Sequence, residues 1–468
     1  MLRRALLAAV LSASLLTGPA ATAAPNRPRA GAPATGSATP LLSVRRDPTW
    51  VEDTLAGQRA SRALAVATKG LGPAVCVDVE QGGHPLYQLH PAEQLEPASN
   101  MKLLTSAAAL ATLGAGFRYT TRVVASAKPV GNTLTGNLYL VGGGDPDLFT
   151  AAYDQQLYFN EPSYTSLDAL AAAVRRAGIT TITGSVIGDA VRYDNQIGVA
   201  TWDPIYLAES DVAPLSALEV NDGGPPPAGP GQPGDTGPAN PPLFAAQAFT
   251  AVLKSAGVTV TGPATDAPAP KRTVPVAQIE SPPLSALIEQ MLRVSDDTVA
   301  ELVTKELGYR EEGQGSTAAG TAQIRRVMAA EGLPVTQLVA LDGSGLDTGD
   351  RATCPLLTGA LEKAGMSGSI AAGLPVAARS GTLARRFVGT AAAGRIHAKT
   401  GTLGQVSALS GYVVPARAGT TELAEPVWFS IIINAMPSAQ AAPLVDRIAV
   451  AIADYPQIPT FRDLEPDR

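Results

Sequence analysis

Ser99-Asn100-Met101-Lys102-Leu103-Leu104-Thr105-Ser106-Ala107-Ala108-Ala109-Leu110 follows Pro97-Ala98 and precedes Gly114. Apolar residues at 103, 104, 107, 108 and 110 suit a buried helix, and the glycine suits its C-terminal cap. Residues three apart on a helix share a face, so the Lys102 amine can reach the Ser99 hydroxyl. A helix N-terminus also presents free N–H groups and partial positive charge. Such a placement activates a nucleophile and supplies a donor for an oxyanion. The competing reading is a serine that caps a core helix beside a lysine that points to solvent. This is the one Ser-x-x-Lys in the chain, and the chain has only eight lysines.

Two more pieces lie further along. Ser295-Asp296-Asp297 opens a helical pattern through Val299, Leu302 and Val303, and a serine N-cap followed by two acidic residues accounts for it as capping alone. Lys399-Thr400-Gly401-Thr402 ends an apolar run. A lysine and two hydroxyls on a strand edge, with a glycine for close backbone approach, make a rim that can dock a carboxylate. A solvated strand end is the plain alternative.

The flanks read as follows. Ala74 to Val79 with Gly82-Gly83 is a strand and turn. Order begins near Thr49-Trp50-Val51. From Phe117 to Pro282 short β-rich runs, such as 137–141 and 184–188, alternate with turn clusters around one helical run, Leu167 to Ala177. The stretch 223–242 is mostly Pro and Gly and reads as an exposed loop. After Pro283 come helices at 284–292, 298–309 and 317–331. Three β-branched runs follow, 395–399, 407–414 and 427–434, which form an antiparallel meander with a break at Gly404. A last helix spans 441–454. Helices around such a sheet argue an α+β class. The organisation expected is a discontinuous domain of 46–116 and 283–468, with β-rich inserted domain or domains at 117–282.

With 468 residues, 45 % hydrophobic and 16 % charged, the chain can bury full cores, and a net charge of −6 without long charge runs excludes the basic footprint of a nucleic-acid binder. At the N-terminus Arg3 and Arg4, the apolar run 5–16 and Ala21-Thr22-Ala23 form the pattern of a cleaved signal peptide, so residues 1–23 read as an export signal. The apolar run is too short to span a bilayer, and no stable membrane anchor is expected. Residues 24–45 read as a disordered leader. Cys76 and Cys354 are read as two buried small hydrophobes in preference to a disulfide. With three histidines, His84 and His90 in a loop-like stretch and His397 on a strand, a Ser-His-Asp hydrolase is disfavoured.

Ser-x-x-Lys, then Ser-x-[Asn/Asp], then Lys-Thr-Gly, in that order, is the motif set of serine β-lactamases and penicillin-binding proteins. The sequence resembles the D-alanyl-D-alanine carboxypeptidase/endopeptidase family of class C low-molecular-mass penicillin-binding proteins. Gly142-Gly143-Gly144-Asp145-Pro146 and the run 216–223 resemble landmarks of that family's inserted domains. Asp342-Gly343-Ser344-Gly345-Leu346 and the run 381–387 resemble landmarks of its catalytic domain. The resemblance implies a penicillin-recognising transpeptidase-like fold and an exported or wall-associated enzyme. Its partners would be peptidoglycan stem peptides and β-lactams. It implies Ser99 as nucleophile, Lys102 as base, the amides of Ser99 and Thr402 as oxyanion hole, and Ser295 with Lys399 as proton relay. Lys399, Thr400 and Thr402 would hold the substrate carboxylate beside Gly401, with no metal or organic cofactor. One residue departs from the pattern: Asp297 stands where asparagine is usual. An ionised aspartate only accepts hydrogen bonds and favours the ammonium form of Lys102, which opposes a base role. Weakened turnover, or a penicillin-binding sensor or scaffold, is the alternative this residue raises.

Overall fold

The central sheet draws its strands from both ends of the chain. In a computed structural model that describes residues 49–155, 164–224, 240–414 and 425–455, the strand order is Ile396–Leu403, Val406–Val413, Val427–Ile433, Val75–Gln81, His84–Leu89, every neighbour antiparallel. The meander 396–433 is thus continued by the N-terminal hairpin, with Val77 opposite Ile431. His84 lies in the edge strand, where the sequence suggested a loop; Gly82 and Gly83, both at positive φ, make the turn that starts it.

Side-chain alternation along the strands fills two cores. Cys76, Ala408, Tyr412, Trp428 and Ile432 face a helical layer of Met101–Leu113, Leu284–Val294, Asp297–Glu312, Thr317–Ala330 and Cys354–Ala364. Val75, Val77, Val79, Leu409, Phe429, Ile431 and Ile433 face the opposite way, onto Thr49–Ala67 and Ser438–Ala453. The two cysteines are not free. Cys76 on its strand and Cys354 at the first position of its helix form a disulfide across 278 residues, which corrects the expectation of two thiols. Both are fully buried on the same side of the sheet, so the packing that suggested small hydrophobes is the packing that joins them.

Residues 120–280 build their own five-stranded sheet, ordered 265–266, 186–189, 138–141, 120–125, 274–280, over a separate core. It is a mixed sheet: Leu138–Val141 runs parallel to Val186–Asp189, and the helix Leu167–Arg176 lies between them in sequence. A second helix, Pro241–Ser255, packs on the same core, and the β-rich texture of the sequence concealed it. Its start lies inside the Pro/Gly-rich stretch. Asn240 caps it by accepting from the Leu243 N–H at 3.2 Å, and the prolines occupy first-turn positions where no N–H is needed. The loop reading therefore fails at 241–242, and 225–239 lie outside the described residues. The export signal and leader also lie outside them.

Candidate active site

Four chain segments meet at one end of the central sheet. Ser99 sits in a 3-10 turn, Ala98–Asn100, that feeds directly into the helix Met101–Leu113. It is no side-chain cap; Ala98 before it is held at φ 47°, a strained value for a residue with a Cβ. Two glycines allow the surrounding backbone to close on this turn. A Cβ at Gly345 would stand 2.0 Å from the Ala98 carbonyl oxygen, and one at Gly401 would stand 2.7 Å from that of Pro97.

Lys102 is fully buried and its ammonium has three acceptors: Ser99 Oγ at 3.2 Å, Asp297 Oδ1 at 2.6 Å and the Ser344 carbonyl at 2.8 Å. Asp297 is the first residue of its helix. Burial pushes its carboxyl up to about 6, against the pull of the Lys102 charge. Asp296, and not Ser295, caps this helix, accepting from the Val299 N–H at 2.8 Å. Ser295 instead ends the preceding helix in the left-handed region, at φ 71°, and its hydroxyl accepts from Lys399 Nζ at 2.8 Å. Lys399 is fully buried on the strand Ile396–Leu403. It also donates to the Thr400 carbonyl at 2.8 Å, and burial, helped by the charge of Lys102, holds its ammonium well below the ordinary lysine range. The Thr400 hydroxyl pairs with that of Thr382 at 2.8 Å, and Thr402 is exposed at the rim.

All eight residues singled out from the sequence (Ser99, Lys102, Ser295, Asp297, Lys399, Thr400, Gly401 and Thr402) fall in this one region. Three supports were given no role from sequence, although Thr382 lies in the landmark run 381–387. Glu301, one turn beyond Asp297 on the same helix face, accepts from the N–H groups of Gly343 and Ser344 at 2.9 and 2.7 Å. It thereby orients the carbonyl that holds Lys102. Its own carboxyl is pushed up to about 8 by burial and then by Asp342. Thr105 donates to the Gly343 carbonyl at 2.7 Å, and Thr382 backs Thr400. The i, i+4 spacing of Asp297 and Glu301 was the available signal. His397 stacks on Tyr412 at 4.9 Å, with burial lowering its imidazole below the usual value, away from these contacts.

The model of the D-Ala-D-Ala carboxypeptidase 3 (S13) family matches residues 64–237 and 223–454. This chain belongs to that family. Within it, a D-alanyl-D-alanine carboxypeptidase of Actinomadura sp. (strain R39) is 32 % identical over 84 % of this chain and 82 % of its own length. Carboxypeptidase DacB of Mycolicibacterium smegmatis is 30 % identical over 95 % of this chain and 94 % of its own length. Penicillin binding protein 4 (dacB) of Haemophilus influenzae shares the fold at a TM-score of 0.68, with 19 % identity over 83 % of this chain and 97 % of that one. As an S13 carboxypeptidase, the chain is a serine-type peptidase of the penicillin-recognising, α+β fold.

Proposed function

We propose that this S13 carboxypeptidase cleaves the terminal D-alanine from peptidoglycan stem peptides through an acyl-enzyme on Ser99. The observation that carries the assignment is the pair of serine–lysine contacts facing one another, Ser99 with Lys102 and Ser295 with Lys399. Ser99 Oγ attacks the carbonyl of the penultimate D-alanine as Lys102, in its neutral form, takes the hydroxyl proton. The oxyanion that forms is met by the amides of Ser99 and Thr402. The first lies in the opening turn of a helix, where no intrahelical acceptor exists for it. Lys399 passes a proton through Ser295 to the departing amine. Thr400, held by Thr382, and Thr402 line the rim for the terminal carboxylate. Water then releases the shortened peptide and restores Ser99. A β-lactam follows the same first step and stops at the acyl-enzyme.

Export to the cell wall suits this substrate, with signal-peptide cleavage after Ala23. No helix among the described residues is long and apolar enough to cross a membrane. Membership of a carboxypeptidase family favours turnover over a purely sensory role; Asp297 acts on rate. The deciding experiment follows D-alanine release from a pentapeptide together with intact mass after penicillin treatment. Turnover and a mass adduct, both abolished by Ser99→Ala, are expected. An adduct without D-alanine release would remove the peptidase reading, and no adduct would remove Ser99 as nucleophile.

A further inference from the structure

A cavity of about 350 Å³ opens where the segment entering the 120–280 region passes the end of the helix Asp297–Glu312. Asp297 begins that helix and Arg310 lies in its last turn, roughly 20 Å away at 1.5 Å per residue, so the cavity is remote from Ser99. Four of its lining residues are arginines: 118, 122, 192 and 310. Among the described residues no aspartate or glutamate lines it.

Two of the guanidinium groups are held in place by neutral groups. Arg118 donates to the Ser281 carbonyl at 2.5 Å, and Arg310 lies over the Phe117 ring at 5.3 Å. Arg122 is exposed on its strand. Among the described residues none of these three has a carboxylate within ion-pair distance. Arg192 does: it forks onto Glu306 at 2.8 and 2.6 Å and lies over Tyr309 at 3.9 Å, which fixes it as one wall. Tyr119 forms another wall. Its side chain is 1 % exposed, and its hydroxyl is buried with no hydrogen-bond partner. Burial, and then the charge of Glu306, hold the phenol far above its ordinary range, so it remains a donor. Three guanidinium groups without a carboxylate partner, gathered around one cavity beside a fourth that Glu306 holds in place, have the chemistry of an anion site.

We propose that this cavity binds a compact phosphate-bearing ligand, with Arg118, Arg122 and Arg310 supplying the charge and Arg192 and Tyr119 shaping the wall. Guanidinium forks match phosphate oxygens bidentately, and the volume accommodates a diphosphate or a phosphorylated sugar. The test is calorimetric titration of the full chain with inorganic pyrophosphate and with glucose 6-phosphate, at low and high salt. Saturable one-to-one binding that weakens with salt is expected, with each of Arg122→Ser and Arg310→Ser reducing affinity about tenfold. The tighter of the two ligands assigns the source as a small inorganic phosphate or a phosphosugar. Unchanged thermal unfolding of the variants, whose side chains are exposed, shows that the fold persists. Absence of saturable binding, equal affinity in the doubly substituted chain, or an equal response to sodium sulfate would overturn the proposal.

Discussion

Replacing Asp297 by asparagine removes one charge 2.6 Å from the Lys102 ammonium and leaves a side chain of the same size, still able to accept a hydrogen bond. Lys102 is fully buried and Asp297 only 17 % exposed, so water screens the pair weakly. A hydrogen bond to a charged partner contributes about 1.5–3 kcal/mol where a neutral one contributes about 1. Substitution therefore withdraws about 0.5–2 kcal/mol from the ammonium form, a gain of roughly 2–30-fold in the neutral amine that accepts the Ser99 proton. Second-order acylation by a fluorescent penicillin at pH 7.5 should rise by that factor. The gain should also depend on pH. The wild-type carboxyl takes up a proton near 6, so below about pH 5 wild type and variant both present a neutral group and their rates should converge. A rate that is unchanged or lower at pH 7.5, or a ratio flat from pH 5 to 8, would refute the reasoning.

Three further outcomes follow from the packing. Gly345→Ala places a Cβ 2.0 Å from the Ala98 carbonyl at a backbone φ of +84°, so the turn bearing Ser99 must move; acylation should fall about 100-fold, the loss typical of a misplaced reacting group, and a near-normal rate would count against the close approach. Cys76→Ser opens a cross-link spanning 278 residues, and loss of about 2–5 kcal/mol in urea unfolding is expected; an unchanged midpoint would show that the bridge adds nothing. Burial raises the carboxyls of Asp145 and Asp297 from 3.8 to about 6 and also raises Asp78, Asp296 and Glu219. Between about pH 4 and 6 the folded chain then binds more protons than the unfolded one, so this contribution to stability is present in acid and is lost as pH rises. For Asp145 and Asp297 the shift is worth up to about 3 kcal/mol each. Urea midpoints from these groups should decline from pH 4.5 to 7.5, and a rise across that range would contradict the burial.

The site was legible because its reactive groups travel in short pieces whose internal spacing is local: Ser99 with Lys102, Ser295 with Asp297, Lys399 with Thr402. Local periodicity also marked the meander and the helix Leu167–Arg176. Contacts between distant segments left no such trace. The pairing of Val77 with Ile431, the Cys76–Cys354 bridge and the grip of Ser344 on Lys102 each depend on chain closure. Capping was ambiguous for a related reason. Ser295 and Asp296 are both good N-caps, and only the left-handed turn at Ser295 passes that role to Asp296. The helix Pro241–Ser255 was hidden because prolines that start a helix look, in sequence, like the end of a loop. Glu301 carried no signal beyond its i, i+4 spacing from Asp297, because the loop it holds meets it only once the chain has folded.

The N-terminal strand Val75–Gln81 occupies an interior place in the sheet between the neighbouring hairpin strand and Val427–Ile433, near the other end of the chain. Glu96 and Asn434 clasp this junction reciprocally, amide to carbonyl in both directions, although 338 residues separate them. A polypeptide that emerges N-terminus first carries this strand with one edge unsatisfied until almost all of the protein has been delivered. Its contact order is correspondingly high, a topology that favours slow folding and leaves an edge open to pairing with other chains in the meantime. The arrangement also acts as a length check. A molecule cut short before residue 427 lacks the partner of its own first strand, so truncated copies should be cleared as unfolded material and should not persist as loose, partly active enzyme.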